Sequence, residues 1–178
     1  MELIEAVKND NLERVKELVE RGANVNAKDI DGLTALMMAS RYGYLDVVKF
    51  LVERGANVNA KNDDGSTALM RASQWGYLDV VKFLVENGAD VTTAGGYGWT
   101  ALIYASVNGD FDVVKLLVER GADIEAKDIG GWTALMIASF WGRLDVVKFL
   151  VERGADIEVK DELLGLTALM MASRYGYL

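Results

Sequence analysis

The sequence predicts an all-α repeat solenoid, because one pattern of 33 residues returns along the chain. A Thr-Ala-Leu motif recurs, with its threonine at Thr34, Thr67, Thr100, Thr133 and Thr167. A Gly-Ala-Asn or Gly-Ala-Asp motif recurs, with its glycine at Gly22, Gly55, Gly88, Gly121 and Gly154. The threonine spacing is 33 residues three times and then 34, and the glycine spacing is always 33. A fixed period of this length is typical of stacked units that bury their apolar faces against neighbours.

Apolar periodicity inside each unit predicts two helices. The first is short, and the threonine before it is a good N-cap. In the first full unit it runs over residues 35–42. The second carries a wide apolar face that includes Leu45, Val48 and Leu51. A wide face indicates burial on more than one side, as a helix between neighbouring units requires.

Glycine and asparagine mark the breaks between these helices. Gly43 ends the first helix, and Gly55 caps the second. Residues 29–32 have the Asp-x-x-Gly pattern of a type I turn. We expect the segment after the second helix, residues 57–59, to be extended.

The repeat period predicts one domain built of six units. These are an N-terminal capping unit at 1–28, full repeats at 29–61, 62–94, 95–127 and 128–160, and an incomplete last repeat at 161–178. Residues 166–178 repeat residues 33–45 without a change. Because no second helix follows in the last repeat, we expect Leu169 and Ala172 to lack the cover that their counterparts have.

Composition argues against several functions. The net charge of −8 opposes binding to nucleic-acid backbones and anionic membranes, which need clustered lysine and arginine. The chain has no cysteine and no histidine, so the commonest nucleophiles, bases and transition-metal ligands are missing. We therefore expect no enzyme activity, no cofactor and no metal. No signal peptide or bilayer-spanning run is visible, so the expected location is intracellular, in the cytoplasm.

The unit Asp-x-x-Gly-x-Thr-Ala-Leu-Met-x-Ala-Ser, followed by Leu-Asp-Val-Val-Lys-Phe-Leu-Val-Glu-x-Gly-Ala, resembles the ankyrin repeat over the whole chain. In architecture the chain is similar to natural ankyrin domains and to designed ankyrin binders, so it could be an engineered binder. The resemblance implies a curved stack of helix-turn-helix units with hairpin-like loops. It also implies binding of a protein or peptide by the concave groove and the loop tips.

Two departures from the family pattern bear on stability. Alanine stands where the family usually has proline at the first helical position. Apolar residues stand where the family usually has a histidine that ties neighbouring loops, at Met37, Met70, Ile103, Met136 and Met170. We therefore expect those ties to be missing and apolar packing to hold the loops instead.

Aromatic residues and arginine concentrate at the positions that vary between repeats. One such row on the first helices reads Met38, Arg71, Tyr104, Ile137 and Met171. Tryptophan, tyrosine and arginine dominate interface hot spots, so these rows predict a docking surface. The predicted partner-binding residues are Tyr42, Arg71, Trp75, Trp99, Tyr104, Trp132, Phe140 and Trp141. For Trp99 and Trp132 the alternative is packing on neighbouring loops.

Two other functions stay open at this point. Arg71, Trp75, Tyr104 and Trp132 could form a small-ligand sensor of the nucleotide type, in which rings stack on a base and a cation holds phosphate. The uncapped end at residues 163–178 could instead stack on another chain and make a self-assembling structural unit.

Overall fold

The computed structural model describes residues 2–177, and the chain forms two compact units, Met1–Asp90 and Val91–Leu178. The first unit holds α1 (Glu2–Lys8), α2 (Leu12–Glu20), α3 (Ala35–Tyr42), α4 (Leu45–Glu53), α5 (Ala68–Gln74) and α6 (Leu78–Glu86). The second holds α7 (Ala101–Asn108), α8 (Phe111–Glu119), α9 (Ala134–Phe140), α10 (Leu144–Glu152) and α11 (Ala168–Arg174). The predicted all-α repeat fold is confirmed. The limits of the individual repeats stay a prediction.

Each first helix of a repeat begins at its threonine. In the first full repeat, Thr34 Oγ1 accepts a hydrogen bond from the backbone N–H of Met37 at 3.3 Å. The same cap bond forms at Thr67, Thr100, Thr133 and Thr167. These bonds satisfy backbone donors that the first turn of a helix leaves unpaired. The threonine of each repeat therefore marks the start of a first helix.

The second helices form the centre of the packing. The helix α4 packs on its own partner α3 and lies beside both α2 and α6. Its Val48 and Leu51 are fully buried, as are Val81 and Leu84 of α6. The equivalent pair in α8, Val114 and Leu117, is buried in the second unit. The predicted wide apolar face is therefore confirmed, and it has the predicted cause, which is contact with neighbours on more than one side.

The loop after the second helix differs from the expectation. Residues 57–59 are not extended, because Val58 and Asn59 form a turn. The Ala60 N–H donates to the Asn57 carbonyl at 3.2 Å, and the Asn59 N–H donates to Asn57 Oδ1 at 3.0 Å. An asparagine side chain that accepts from the backbone two residues on stabilises such a turn, which the extended prediction overlooked.

Asparagine side chains join the loops of neighbouring repeats. Asn59 Nδ2 donates to the Gly88 carbonyl at 2.9 Å, and Asn59 Oδ1 accepts from the Asp90 N–H at 2.8 Å. One repeat earlier, Asn26 makes the same two bonds, to the Gly55 carbonyl at 3.0 Å and from the Asn57 N–H at 2.7 Å. Polar side chains therefore tie neighbouring loops, which the expectation of apolar packing alone did not include.

Backbone hydrogen bonds also connect successive turns. In the second unit the Ile129 N–H donates to the Tyr97 carbonyl at 2.9 Å, and the Glu162 N–H donates to the Gly130 carbonyl at 2.9 Å. These bonds and the asparagine ties link residues about one period apart. They therefore join neighbouring repeats at the loops, in addition to the contacts between their helices.

We expect Asn59→Ala to lower the free energy of unfolding by about 1–2 kcal/mol, because two hydrogen bonds between repeats are lost. The matched control is Glu158→Ala, at the same position of the repeat. Within residues 2–177, no hydrogen bond joins the Glu158 side chain to another repeat. Urea unfolding followed by circular dichroism measures both variants. Equal losses would show that the asparagine ties contribute nothing specific.

The apolar face of α11 is exposed. Leu169 is 64% exposed, whereas Leu36, at the same repeat position and in an identical local sequence, is 1% exposed. Ala172 is partly exposed, whereas its counterpart Ala39 is fully buried. The predicted lack of cover at the last repeat is confirmed.

Candidate partner-binding surfaces

Three of the predicted residues lie in the first unit, on or next to first helices. Tyr42 is the last residue of α3, Arg71 lies in the middle of α5, and Trp75 follows the end of α5. The Tyr42 ring lies 5.5 Å from the Tyr44 ring, and the Arg41 guanidinium lies 6.0 Å from the Tyr42 centroid. Trp75 is 53% exposed, so most of its ring is available to a partner.

Arg71 is a partly buried cation with an unused donor. Among the described residues, no acceptor lies within hydrogen-bond distance of its buried Nε. A buried donor without a partner costs about 1–3 kcal/mol. The Arg71 side chain as a whole is partly exposed, and a carboxylate suits a guanidinium best because both groups are planar.

The second unit holds the other five predicted residues, and two of them form a pair. Trp99 lies in the loop before α7, and Tyr104 lies on α7. Their ring centroids are 4.9 Å apart with an interplanar angle of 59°. Both side chains are partly buried. The loop tip and the first helix of this repeat therefore present one continuous aromatic surface.

The remaining three predicted residues belong to a larger group around Phe140, the last residue of α9. The Phe140 centroid lies 5.2 Å from Trp132, 5.2 Å from Trp141 and 4.5 Å from Tyr175, each time edge to face. Such pairs contribute about 0.5–1.5 kcal/mol beyond their area burial. We call these four residues the Phe140 cluster. Trp141 and Tyr175 are 47% and 48% exposed. About half of each side chain is therefore accessible to a partner, although both rings contact Phe140.

In one of the predicted rows of first-helix side chains, only some members are exposed. Met38, Ile137 and Met171 are buried, so in that row only Arg71 and Tyr104 reach the surface. Apolar side chains at this position gain more from the neighbouring helices than from solvent, which is why only the polar and amphipathic members stay accessible. The two accessible members are the two that belong to the predicted partner-binding set.

Tyr175 is a residue that the predicted set omitted. It completes the Phe140 cluster with the shortest of the three ring distances. The signal was present in the sequence, because Tyr175 occupies the same repeat position as Trp75 and Trp141. For Trp99 and Trp132 the two interpretations stay open: each packs on a ring of the following helix and is still partly exposed.

Burial shifts the pKa of two titratable groups among the described residues. Burial raises the pKa of the Asp110 carboxyl, while a hydrogen bond from Asn108 and the charge of Arg143 act in the opposite direction. In the first unit, burial likewise raises the pKa of the Tyr44 phenol. Between residues 2 and 177, no three acidic side chains are grouped in a way that could hold a metal ion. Over the same range, no helix has both the length and the apolar character needed to cross a bilayer.

These features define a class of protein. It is built from helix-pair repeats with hydrogen bonds between their loops, and its exposed rings lie on first helices and loop tips. The family model for ankyrin repeats in three copies matches residues 3–95, 93–161 and 130–178. Because these matches together cover nearly the whole sequence, the chain belongs to the ankyrin-repeat family. Ankyrin repeats are generally protein–protein interaction modules and are typically not enzymes.

Proposed function

We propose that the chain binds a protein or peptide through its first helices and loop tips. The observation that carries this proposal is the Phe140 cluster. Its Trp141 and Tyr175 rings are about half exposed and are also held in place by edge contacts with Phe140. A large ring that is already immobilised loses little conformational entropy when a partner covers it. Exposed rings in this state are the usual anchors of protein interfaces.

The first unit offers a second contact surface with different chemistry. Trp75 supplies apolar area, and Arg71 supplies a partly exposed cation. A partner segment that carries a carboxylate beside an apolar side chain would satisfy both. The acidic net charge of −8 would speed the approach of a partner whose remaining surface is basic.

A peptide selection tests the proposal and does not require the natural partner. Peptides would be selected from a random display library on the wild-type chain and then measured by fluorescence anisotropy. We expect simultaneous replacement of Trp75, Tyr104 and Trp141 by alanine to weaken binding of the selected peptides by about 100-fold or more, since each is a potential hot spot. Far-UV circular dichroism should show unchanged helicity.

The matched control for this selection is Phe111→Ala. Phe111 is an aromatic residue on the second helix α8 with an exposed ring, and it lies outside the predicted surface. Its replacement should leave peptide affinity unchanged. Wild-type affinity in the triple variant, or an equal loss in the Phe111 variant, would end the proposal.

A nucleotide-type ligand is a second candidate, and the observation that favours it is the partly exposed Arg71 cation four residues before the exposed ring of Trp75. Stacking of a base on Trp75 with a phosphate on Arg71 would use both side chains. A thermal-shift screen with nucleoside mono-, di- and triphosphates distinguishes this candidate from peptide binding. A rise in melting temperature that is lost on Arg71→Ala would support it, and no rise with any nucleotide would remove it.

A further inference from the structure

An asparagine directly followed by glycine occurs at two places in the chain, Asn87 with Gly88 and Asn108 with Gly109. In such a pair the backbone nitrogen of the glycine can attack the side-chain carbon of the asparagine, because glycine has no Cβ to hinder the approach. The first pair lies in the first unit and the second pair in the second unit. Since the two residues are the same in both pairs, the surrounding structure decides how they differ in reactivity.

The first pair lies outside a helix and in open surroundings. Asn87 follows the end of α6, and both Asn87 and Gly88 are exposed. A Cβ built on Gly88 would meet no atom within 4 Å among the described residues. The Gly88 N–H donates to the Val85 carbonyl at 3.2 Å, and Asn87 Nδ2 donates to the Phe83 carbonyl at 2.8 Å. Both bonds lie at the last turn of a helix, which opens at low cost because helix ends fray.

The second pair is held by neighbouring side chains. Asn108 is the last residue of α7, and its side chain donates a hydrogen bond to the Asp110 carboxyl. A Cβ built on Gly109 would lie 2.8 Å from Arg143 Cδ, so the arginine of the next repeat lies directly against this glycine. Arg143 Nε also donates to the Val107 carbonyl at 2.9 Å, which fixes the arginine at the end of α7. The asparagine amide and the glycine backbone of this pair are therefore both restrained.

We propose that Asn87 is a site of spontaneous deamidation and that the fold protects Asn108 from the same reaction. The Gly88 nitrogen forms a bond to Asn87 Cγ, and the bond from Cγ to Nδ2 breaks. The amide nitrogen leaves as ammonia, with the proton that the Gly88 nitrogen loses. The cyclic succinimide then takes up one water. Opening at Cγ gives aspartate, and opening at the backbone carbonyl carbon gives isoaspartate.

Both products change the contacts at the end of α6. Each puts a carboxylate at the C-terminal end of the helix, where the helix dipole disfavours negative charge. Isoaspartate also adds the side-chain methylene to the main chain, which displaces the peptide group that follows. The next carbonyl along the chain is that of Gly88, to which Asn59 Nδ2 donates at 2.9 Å. Isoaspartate at position 87 therefore weakens one of the ties between neighbouring loops.

Ageing of the full chain in neutral buffer, followed by mass spectrometry, tests the proposal. Cleavage before aspartate residues gives fragments 79–89 and 90–109, so each asparagine lies in a fragment of its own. Aspartate formed at position 87 adds a cleavage point and isoaspartate does not, so both products are counted. We expect the Asn87 amide to be lost at least about tenfold faster than the Asn108 amide. Equal rates, or a faster loss at Asn108, would overturn the proposal.

The same experiment in concentrated urea removes the effect of the fold. Both pairs then belong to an unfolded chain, and we expect the two amides to be lost at similar rates. If Asn87 stayed about tenfold faster in urea, the difference would come from the neighbouring sequence, and the protection of Asn108 by the fold would be refuted.

Arg143→Ala tests the cause of the protection. The variant removes the side chain that lies against Gly109 and its bond to the Val107 carbonyl. Loss of the Asn108 amide should become at least about threefold faster. Far-UV circular dichroism and an unchanged rate at Asn87 show that the fold is retained. An unchanged rate at Asn108 would contradict the protection by Arg143.

Gly88→Ala tests the attacking atom. The added Cβ hinders the approach of the backbone nitrogen but meets no neighbouring atom, so the fold is retained at the cost of one left-handed alanine. The Asn87 amide should be lost at least about tenfold more slowly than in the wild type, with no change at Asn108. An unchanged rate at Asn87 would refute attack by the Gly88 nitrogen. The reaction is independent of the aromatic surfaces, so failure of the binding proposal leaves these results intact.

Discussion

Leu102→Ala should lower the free energy of unfolding by about 2–5 kcal/mol. Leu102 lies on α7 and is 1% exposed, so its side chain contacts neighbouring helices on all sides. Truncation removes apolar contacts and leaves a cavity that the close-packed helices only partly fill. Chemical unfolding monitored by far-UV circular dichroism measures the loss, and the midpoint should move to lower denaturant.

The same substitution at Leu169 is the matched control. Leu169 occupies the equivalent position of the last repeat but is 64% exposed. Because little of its surface is buried, Leu169→Ala should change stability by no more than about 0.5 kcal/mol. A large loss at Leu169 would mean that the α11 face is covered in solution. A small loss at Leu102 would contradict the packing described for α7.

Gly43→Ala should destabilise the chain by about 2–4 kcal/mol. Gly43 ends α3 with φ of +76°, a left-handed conformation that costs an alanine roughly 1–2 kcal/mol. A Cβ at this position would also lie only 2.6 Å from the Tyr77 ring of the next repeat. The ring must move to make room. Thermal or urea unfolding measures the sum of both effects.

Gly55 separates the backbone cost of the substitution from the cost of the contact with the Tyr77 ring. It has φ of +84°, but a Cβ there meets no atom within 4 Å among the described residues. Gly55→Ala should therefore show only the backbone cost. In a Tyr77→Ala background, Gly43→Ala should fall to the same value, because the ring is gone. If Gly43 and Gly55 variants lose equal stability in the wild-type background, the contact with Tyr77 has no energetic role.

The local elements were predictable because their causes are local. Thr34 starts α3 through a bond to a backbone group three residues away, and Gly55 follows α4 in a left-handed conformation. The one local error, at residues 57–59, also has a local cause, which is the turn that Asn57 makes with the backbone. Periodicity shows where helices and turns repeat, but the choice between a turn and an extended segment depended on one side-chain bond.

The candidate surface was predictable only as a set of positions. The repeat register placed Trp132, Phe140 and Trp141 on loop tips and first helices. It could not show that these rings meet around Phe140 or that Tyr175 joins them from the next repeat. It also could not separate the accessible Tyr104 from the buried Ile137 in the same row. These distinctions depend on side chains that neighbouring repeats contribute.

The sequence alone determined the helix pairs, their caps, their period and the family, because each depends on residues within one period of the chain. The tertiary structure decided which polar groups tie the loops, which rings touch and which apolar face stays open. Residues 33–45 and 166–178 demonstrate the difference: their sequences are identical, yet Leu36 is buried and Leu169 is exposed. Burial depends on what packs against a side chain, and that is a property of its neighbours in space.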